Sequence, residues 1–180
     1  MNQLRELLIE DLQDLLHAEM QLLQALPKMA EAAKNPKLKE AFEKHLQQTQ
    51  GHCDRLQSAF ELLGEKPQPK PCKGMEGLVK EGEEAIQENE GKDEFGSDLA
   101  LIGAAQKVEH YEISGYGTVR YLARQIGERE VANLLSHTLG EEESADFLLS
   151  ELGRPILQDA LVKDRDLGSA RTAKAKTQKA

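Results

Sequence analysis

Apolar residues recur along this chain in alternating steps of three and four, the period of one buried helix face. From residue 2 to about residue 33 the stripe is Leu8, Leu12, Leu15, then Glu19, then Leu22, Leu26 and Met29. Asn35-Pro36 is a start signal, with Asn as the cap and Pro as the first helical residue, and predicts a second helix to about Gly64. Its stripe is Leu38, Phe42, His45, Thr49, His52, Leu56, Ala59 and Leu63. A third long helix is predicted from near Ser97 to Ile126, with Ile102, Ala105, Glu109, Glu112, Tyr116, Val119 and Ala123 inward. A fourth runs from Arg129 to Leu152, where Gly153 and Pro155 should stop it. Its inward positions are Ala132, Leu135, Leu139, Glu142, Asp146 and Leu149.

The connections decide how these helices pair. The first and second are separated by a short turn, as are the third and fourth, so each pair predicts an antiparallel hairpin. Between the hairpins lies EKPQPKPCKG, which the prolines keep extended. A short amphipathic helix over about 75–89 and the loop GKDEFGS follow. About thirty residues of connection can travel the length of a bundle. The expectation is an all-α four-helix bundle: two antiparallel hairpins joined by a long crossover with a short extra helix.

Composition supports helix, with Leu, Ala, Glu, Gln and Lys abundant, six Pro and no Trp. No apolar run approaches the ~20 residues of a membrane span. The two cysteines form no CxxC pair and read as reduced thiols, so the expected setting is cytoplasmic. Net charge is −9 but unevenly spread: residues 163–180 carry six Lys or Arg and two Asp, leaving −13 on the rest. An acidic body counts against nucleic acid as a partner. The chain is therefore divided into a bundle domain, 1–160, and a basic tail, 161–180, expected to be disordered.

Polar residues break the apolar stripes at matching heights. Glu19 and His52 lie 16 and 17 residues from a turn centred near Asn35. Glu109 and Glu112 lie 18 and 15 residues before Gly127, and Glu143 and Asp146 lie 16 and 19 after it. At about 1.5 Å rise per residue, all six fall in one layer some 22–29 Å from the turns. Five carboxylates in one core would cost several kcal/mol for each uncompensated ion. No Lys or Arg lies on the inward stripes, so protons or metal cations must balance them. Glu109-x-x-Glu112 and Glu143-x-x-Asp146 each set two oxygen ligands on one helix face. Carboxylate with imidazole suits iron, manganese or zinc. A lone ExxE usually marks a solvated face; here the coincidence of six positions in height and facing supports a site. The spacing to Asp146 favours Glu143 over Glu142, and His45 reads as a satisfied core histidine. His17, His110 and His137 fall off the inward stripes. Tyr116, one turn from Glu112, is the redox-active tyrosine candidate.

The segments DLLHAEMQLLQALPKM, HLQQTQGHCDRL, KPCKGMEGL, AAQKVEHYEISGYGT and TLGEEESADFLL resemble the YciE/YciF stress-protein family of bacteria across nearly all of residues 1–155. That resemblance implies a ferritin-like homodimer induced by stress, with a dimetal centre. The core is also similar to the rubrerythrin type of ferritin-like protein. By that likeness Glu19 is the ligand of the first helix, Glu109 and Glu112 its Glu-x-x-Glu, and His52 its second-helix histidine. Glu143 and Asp146 match its Glu-x-x-His, with Asp replacing His. Thr49 stands where a bridging Glu belongs, which weakens the case for two full metals; nearby Gln48 could offer a neutral oxygen.

The resulting expectation is a stress protein binding two metal ions, iron first and Mn or Zn as substitutes. Dioxygen or peroxide would be its substrate in a ferroxidase- or peroxidase-like reaction. The alternative is a non-enzymatic interaction protein in the same fold, its metal site structural or vestigial.

Overall fold

The computed structural model describes residues 2–88 and 93–177, and among them the only regular elements are five helices: α1 (Asn2–Ala32), α2 (Pro36–Leu63), α3 (Lys73–Glu88), α4 (Glu94–Ile126) and α5 (Arg129–Thr177). Local chemistry sets their ends. The Asn35 side chain accepts from the backbone N–H groups of Lys37 and Leu38, and Pro36 opens α2 with the φ it already has. Gly64 and Gly127 close α2 and α4 in the left-handed region, at φ 70° and 93°, where a Cβ would be strained. Asp93 caps α4 by accepting from Gly96 N. Of the loop expected over GKDEFGS, residues 91 and 92 lie outside the described residues, and Glu94 already begins α4.

α1 packs on α2 and α4, and α5 packs on α4 and α2, so the four long helices close a ring; α3 lies against α1 and α4. The extended segment between α2 and α3 follows α1. Arg5 donates to Glu65 and to the Leu63 carbonyl, and Lys70 N donates to the Gln13 carbonyl. Cys72 Sγ and the Tyr111 hydroxyl lie 2.9 Å apart, and that hydroxyl donates to Asp14. Both cysteines are free thiols.

The α1–α2 turn is fixed from outside. Asp98 is buried on α4 and accepts from the backbone N–H groups of Lys34 (2.7 Å) and Asn35 (2.8 Å). Removing a buried acceptor strands its donors. Asp98→Ala is expected to cost about 2–3 kcal/mol, read as a lower urea midpoint at unchanged slope.

α5 departs from expectation by running through Gly153 and Pro155 to Thr177. Burial explains it: continuing the helix places Ile156 in the core with Ile102, and a Cβ on Gly153 would only just touch Ile102 and Leu99. That apolar burial offsets the one N–H that Pro155 lacks. Lys163 sits 4.9 Å over the Phe95 ring and 3.7 Å from Asp93. The basic residues 163–177 therefore continue the same helix, and 178–180 lie outside the described residues.

The core is in two parts. One holds Leu22, Leu26, Leu38, Phe42, Leu101 and Leu149; the other holds Leu8, Leu12, Leu56, Phe60, Tyr116 and Leu135. On every long helix the boundary between the parts falls where the apolar stripe is interrupted.

Candidate metal centre

Six polar side chains fill that boundary: Glu19 from α1, His45 and His52 from α2, Glu109 and Glu112 from α4, and Glu142 from α5, all buried. Each reaches inward because it occupies a stripe position that would otherwise hold Leu. His45 and His52 are seven residues apart, two turns on one face, with ring centroids 6.1 Å apart. Glu109 and Glu112 share the α4 face at i and i+3.

Two overlapping groups result. One potential ligand atom from each of His45, Glu109, Glu112 and Glu142 lies within 4.8 Å of the others, and the same holds for Glu19, His52 and Glu142. Glu142 belongs to both. Its carboxylate is 3.5 Å from His45 Nε2 through one oxygen and 2.8 Å from His52 Nδ1 through the other. His45 Nε2 is also 3.5 Å from Glu109, and His52 Nδ1 is 3.2 Å from Glu19. These are charge contacts out of hydrogen-bond alignment: nine nitrogen and oxygen atoms of the six residues lack any hydrogen-bond partner, including both oxygens of Glu112 and of Glu142 and both ring nitrogens of His45. Native interiors leave few such atoms, and each asks for a cause.

The electrostatics agree. Burial, followed by repulsion from neighbouring carboxylates, pushes Glu109 and Glu112 well above the ordinary carboxylate range. Glu19 is also raised, burial outweighing His52 and the Tyr116 hydroxyl that donates to it. Glu142 is lowered: burial works against it, but His52 and His45 prevail. His52 is pushed up to about 10, burial being outweighed by Glu142 and Glu19.

The structure brings together Glu19, His52, Glu109 and Glu112 of the residues expected from sequence. It does not add Glu143, which is exposed; Glu142 has the inward place. Asp146 lies at the flank, its carboxylate accepting from Gln106 at 3.0 Å and 3.4 Å from the exposed His110. The signal for Glu142 was in the chain, because Leu135, Leu139, Glu142 and Leu149 keep the three-four step while 143 leaves it. His45 is the residue that sequence reasoning passed over; its stripe position was visible, its unsatisfied nitrogens were not. His17, off the inward stripe, is half-buried, its Nδ1 accepting from Cys72 N. Thr49 turns away from ligand duty, its hydroxyl donating to the His45 carbonyl.

A cavity of about 60 Å³ between α2 and α5 leads to this centre, lined by Phe42, Lys44, His45, Gln48, Glu109 and Glu141 among others. It has room for a few water-sized molecules.

Residues 3–162 match a family model described as a domain of unknown function, DUF892. The chain is 45% identical over 139 residues to protein YciF of Escherichia coli K12, covering 77% of this chain and 82% of the relative. The crystal structure of YciF, described as an E. coli stress protein, matches with a TM-score of 0.83 at 41% identity, over 88% of this chain and 99% of that one. YcfI from Rhodopseudomonas palustris matches with a TM-score of 0.78 at 38% identity, over 82% and 92%. The bacterioferritin-related dodecameric thioferritin of Bacteroides fragilis shares the fold at a TM-score of 0.63 and 15% identity, over 89% and 90%.

Proposed function

Because the chain belongs to the YciE/YciF family, matched as DUF892, we propose that it is a stress-related, ferritin-like four-helix bundle whose central layer binds two metal ions, iron first. The observation that carries this reading is the set of nine unsatisfied ligand atoms on six buried side chains. Apolar packing gives no reason for them, and buried ions left alone would cost several kcal/mol each. The donor set of four carboxylates and two imidazoles is that of iron, manganese or zinc.

In this reading His45, Glu109, Glu112 and Glu142 would hold one ion, and Glu19, His52 and Glu142 the other, so that Glu142 would serve both sets. Glu143 and Asp146, favoured by spacing, give way to Glu142 and His45. Tyr116 fixes the Glu19 carboxylate by donating to Oε1, leaving Oε2 free. The two halves of the apolar core exclude bulk water, and the cavity of about 60 Å³ beside His45 and Glu109 is of a size for dioxygen or peroxide. A pair of redox-active ions there would supply the electrons for reducing such an oxidant. The chain would act as a homodimer.

One observation favours a second, non-enzymatic reading. α2 brings two histidines and no carboxylate, since Thr49 is turned to the backbone. The site would then be structural, and function would lie on an outer surface. Anaerobic loading with Fe(II) followed by hydrogen peroxide separates the two. Oxidation well above the buffer rate, abolished by Glu109→Ala/Glu112→Ala, is the enzymatic outcome. Tight metal binding with oxidation at the buffer rate would leave only the structural role.

A further inference from the structure

The two histidines of the cluster are not held alike. Both ring nitrogens of His45 lack a hydrogen-bond partner. His52 Nδ1 faces inward, toward Glu19 and Glu142, but its Nε2 faces outward and lies 3.1 Å from Glu141 Oε2. Glu141 is on the flank of α5, one residue from Glu142, with a quarter of its side chain exposed. Arg55, one turn along α2 from His52, reaches across to it. Its Nη2 donates to the same Glu141 oxygen, and its Nε donates to Thr138 Oγ1 at 2.8 Å. Thr138 and Glu141 are i and i+3 on α5, so the planar guanidinium is gripped at two points on one helix face.

This arrangement constrains the ring. A carboxylate accepts and does not donate, so the His52 nitrogen opposite Glu141 must carry a proton. If Nε2 keeps its proton when a metal displaces the other one, the lone pair is on Nδ1, the nitrogen already inside the cluster. An outer partner that fixes a histidine ligand's tautomer and orientation typically accounts for about 10–100-fold in metal affinity.

We propose that Glu141, clamped by Arg55, is a positioning residue that aims His52 Nδ1 into the cluster, so that the Glu19–His52–Glu142 position binds metal more tightly than the His45 position and fills first. This rests on the dimetal reading above and deepens it by making the two positions unequal. His45 has no outer partner to fix its tautomer and ring orientation, whereas His52 has one.

The test is zinc titration of the full chain, with Zn(II) as a diamagnetic probe, followed by the 15N–1H signals of the histidine rings. In the unmodified chain the first equivalent should shift His52 Nδ1 while its Nε2 proton persists, and the second should shift His45. Glu141→Gln should weaken the first position about 10–100-fold, expose the His52 Nε2 proton to exchange, and leave the His45 position unchanged. Arg55→Gln should act on the same position in the same direction, less strongly. Unchanged affinities in a folded Glu141→Gln chain, or a loss confined to the His45 position, would overturn the latch. Should Glu141→Gln not fold, Arg55→Gln decides: a selective loss at His52 supports the latch and no change overturns it. An unmodified chain that takes up no zinc would instead overturn the dimetal reading, and that result needs no variant.

Discussion

Replacing Glu142 by Ala should abolish binding at both metal positions, while Glu143→Ala should leave both intact. Glu142 is the only residue common to the two ligand groups. Both of its oxygens are buried and lack hydrogen-bond partners, and each approaches a different histidine. Losing it removes one ligand from each ion and the negative charge between them. Affinity should fall by more than the ~100-fold that an outer partner can cost. Glu143, one residue on, projects into solvent and holds nothing. Isothermal titration with Mn(II) under anaerobic conditions measures both variants. Equal losses in the two would mean that overall negative charge, rather than a bridging carboxylate, draws the ions in.

The second large effect is on stability without metal. Glu112→Gln should raise the melting temperature of the metal-free chain at pH 8 and remove most of the rise that metal gives the unmodified chain. Glu112 is fully buried with neither oxygen satisfied, and burial followed by the charges of Glu19 and Glu142 pushes it well above the ordinary carboxylate range. A carboxyl raised by folding favours the folded state fully below its unfolded value, and the benefit is lost as pH rises through the folded value. Glu19 and Glu109 share that sign. So does His52, whose benefit is full below its ordinary 6.5 and is lost as pH rises through about 10. Glu142 alone has the opposite sign, favouring the fold above the carboxylate range. The metal-free chain should therefore lose stability from the ordinary carboxylate range upward, and metal should restore it by displacing protons. Each kcal/mol regained by Glu112→Gln moves the midpoint by about 2–4 °C in a chain of this size. Calorimetry across pH 5–9, with and without Mn(II), provides the check. A Gln variant less stable than the parent at every pH would mean that the Glu112 carboxylate has a partner the geometry does not reveal.

Much of this centre is legible in the sequence because helical periodicity converts spacing into facing. Glu19, His52, Glu109 and Glu112 each stand on the inward stripe of a helix that is otherwise largely apolar, and all four come together. The α1–α2 turn reads equally well, since Asn-Pro has a mechanism at a helix start and Gly64 has one at a helix end. Facing is lost where two candidates are adjacent. Glu142 and Glu143 differ by about 100° around α5, and a preference for i, i+3 partners with Asp146 chose the wrong side. His45 fails differently, because a buried histidine with satisfied nitrogens and one without have the same sequence signature. Helix stops are weak for a third reason: Gly153 and Pro155 are local breakers, and the burial of Ile156 against Ile102, a long-range contact, overrides them. The Glu141–Arg55 grip on His52 is invisible beforehand, since it depends on the rotation of α2 against α5.

The buried layer is proposed to bind two ions. The most direct test of this is the metal content per chain by plasma mass spectrometry. The protein would be purified without tags or chelators, reloaded with Fe(II) or Mn(II), and compared with Glu109→Ala/Glu112→Ala. About two ions per chain, lost in the double variant, is the predicted result. No metal under any loading condition would contradict the account and leave the carboxylates as a protonated core.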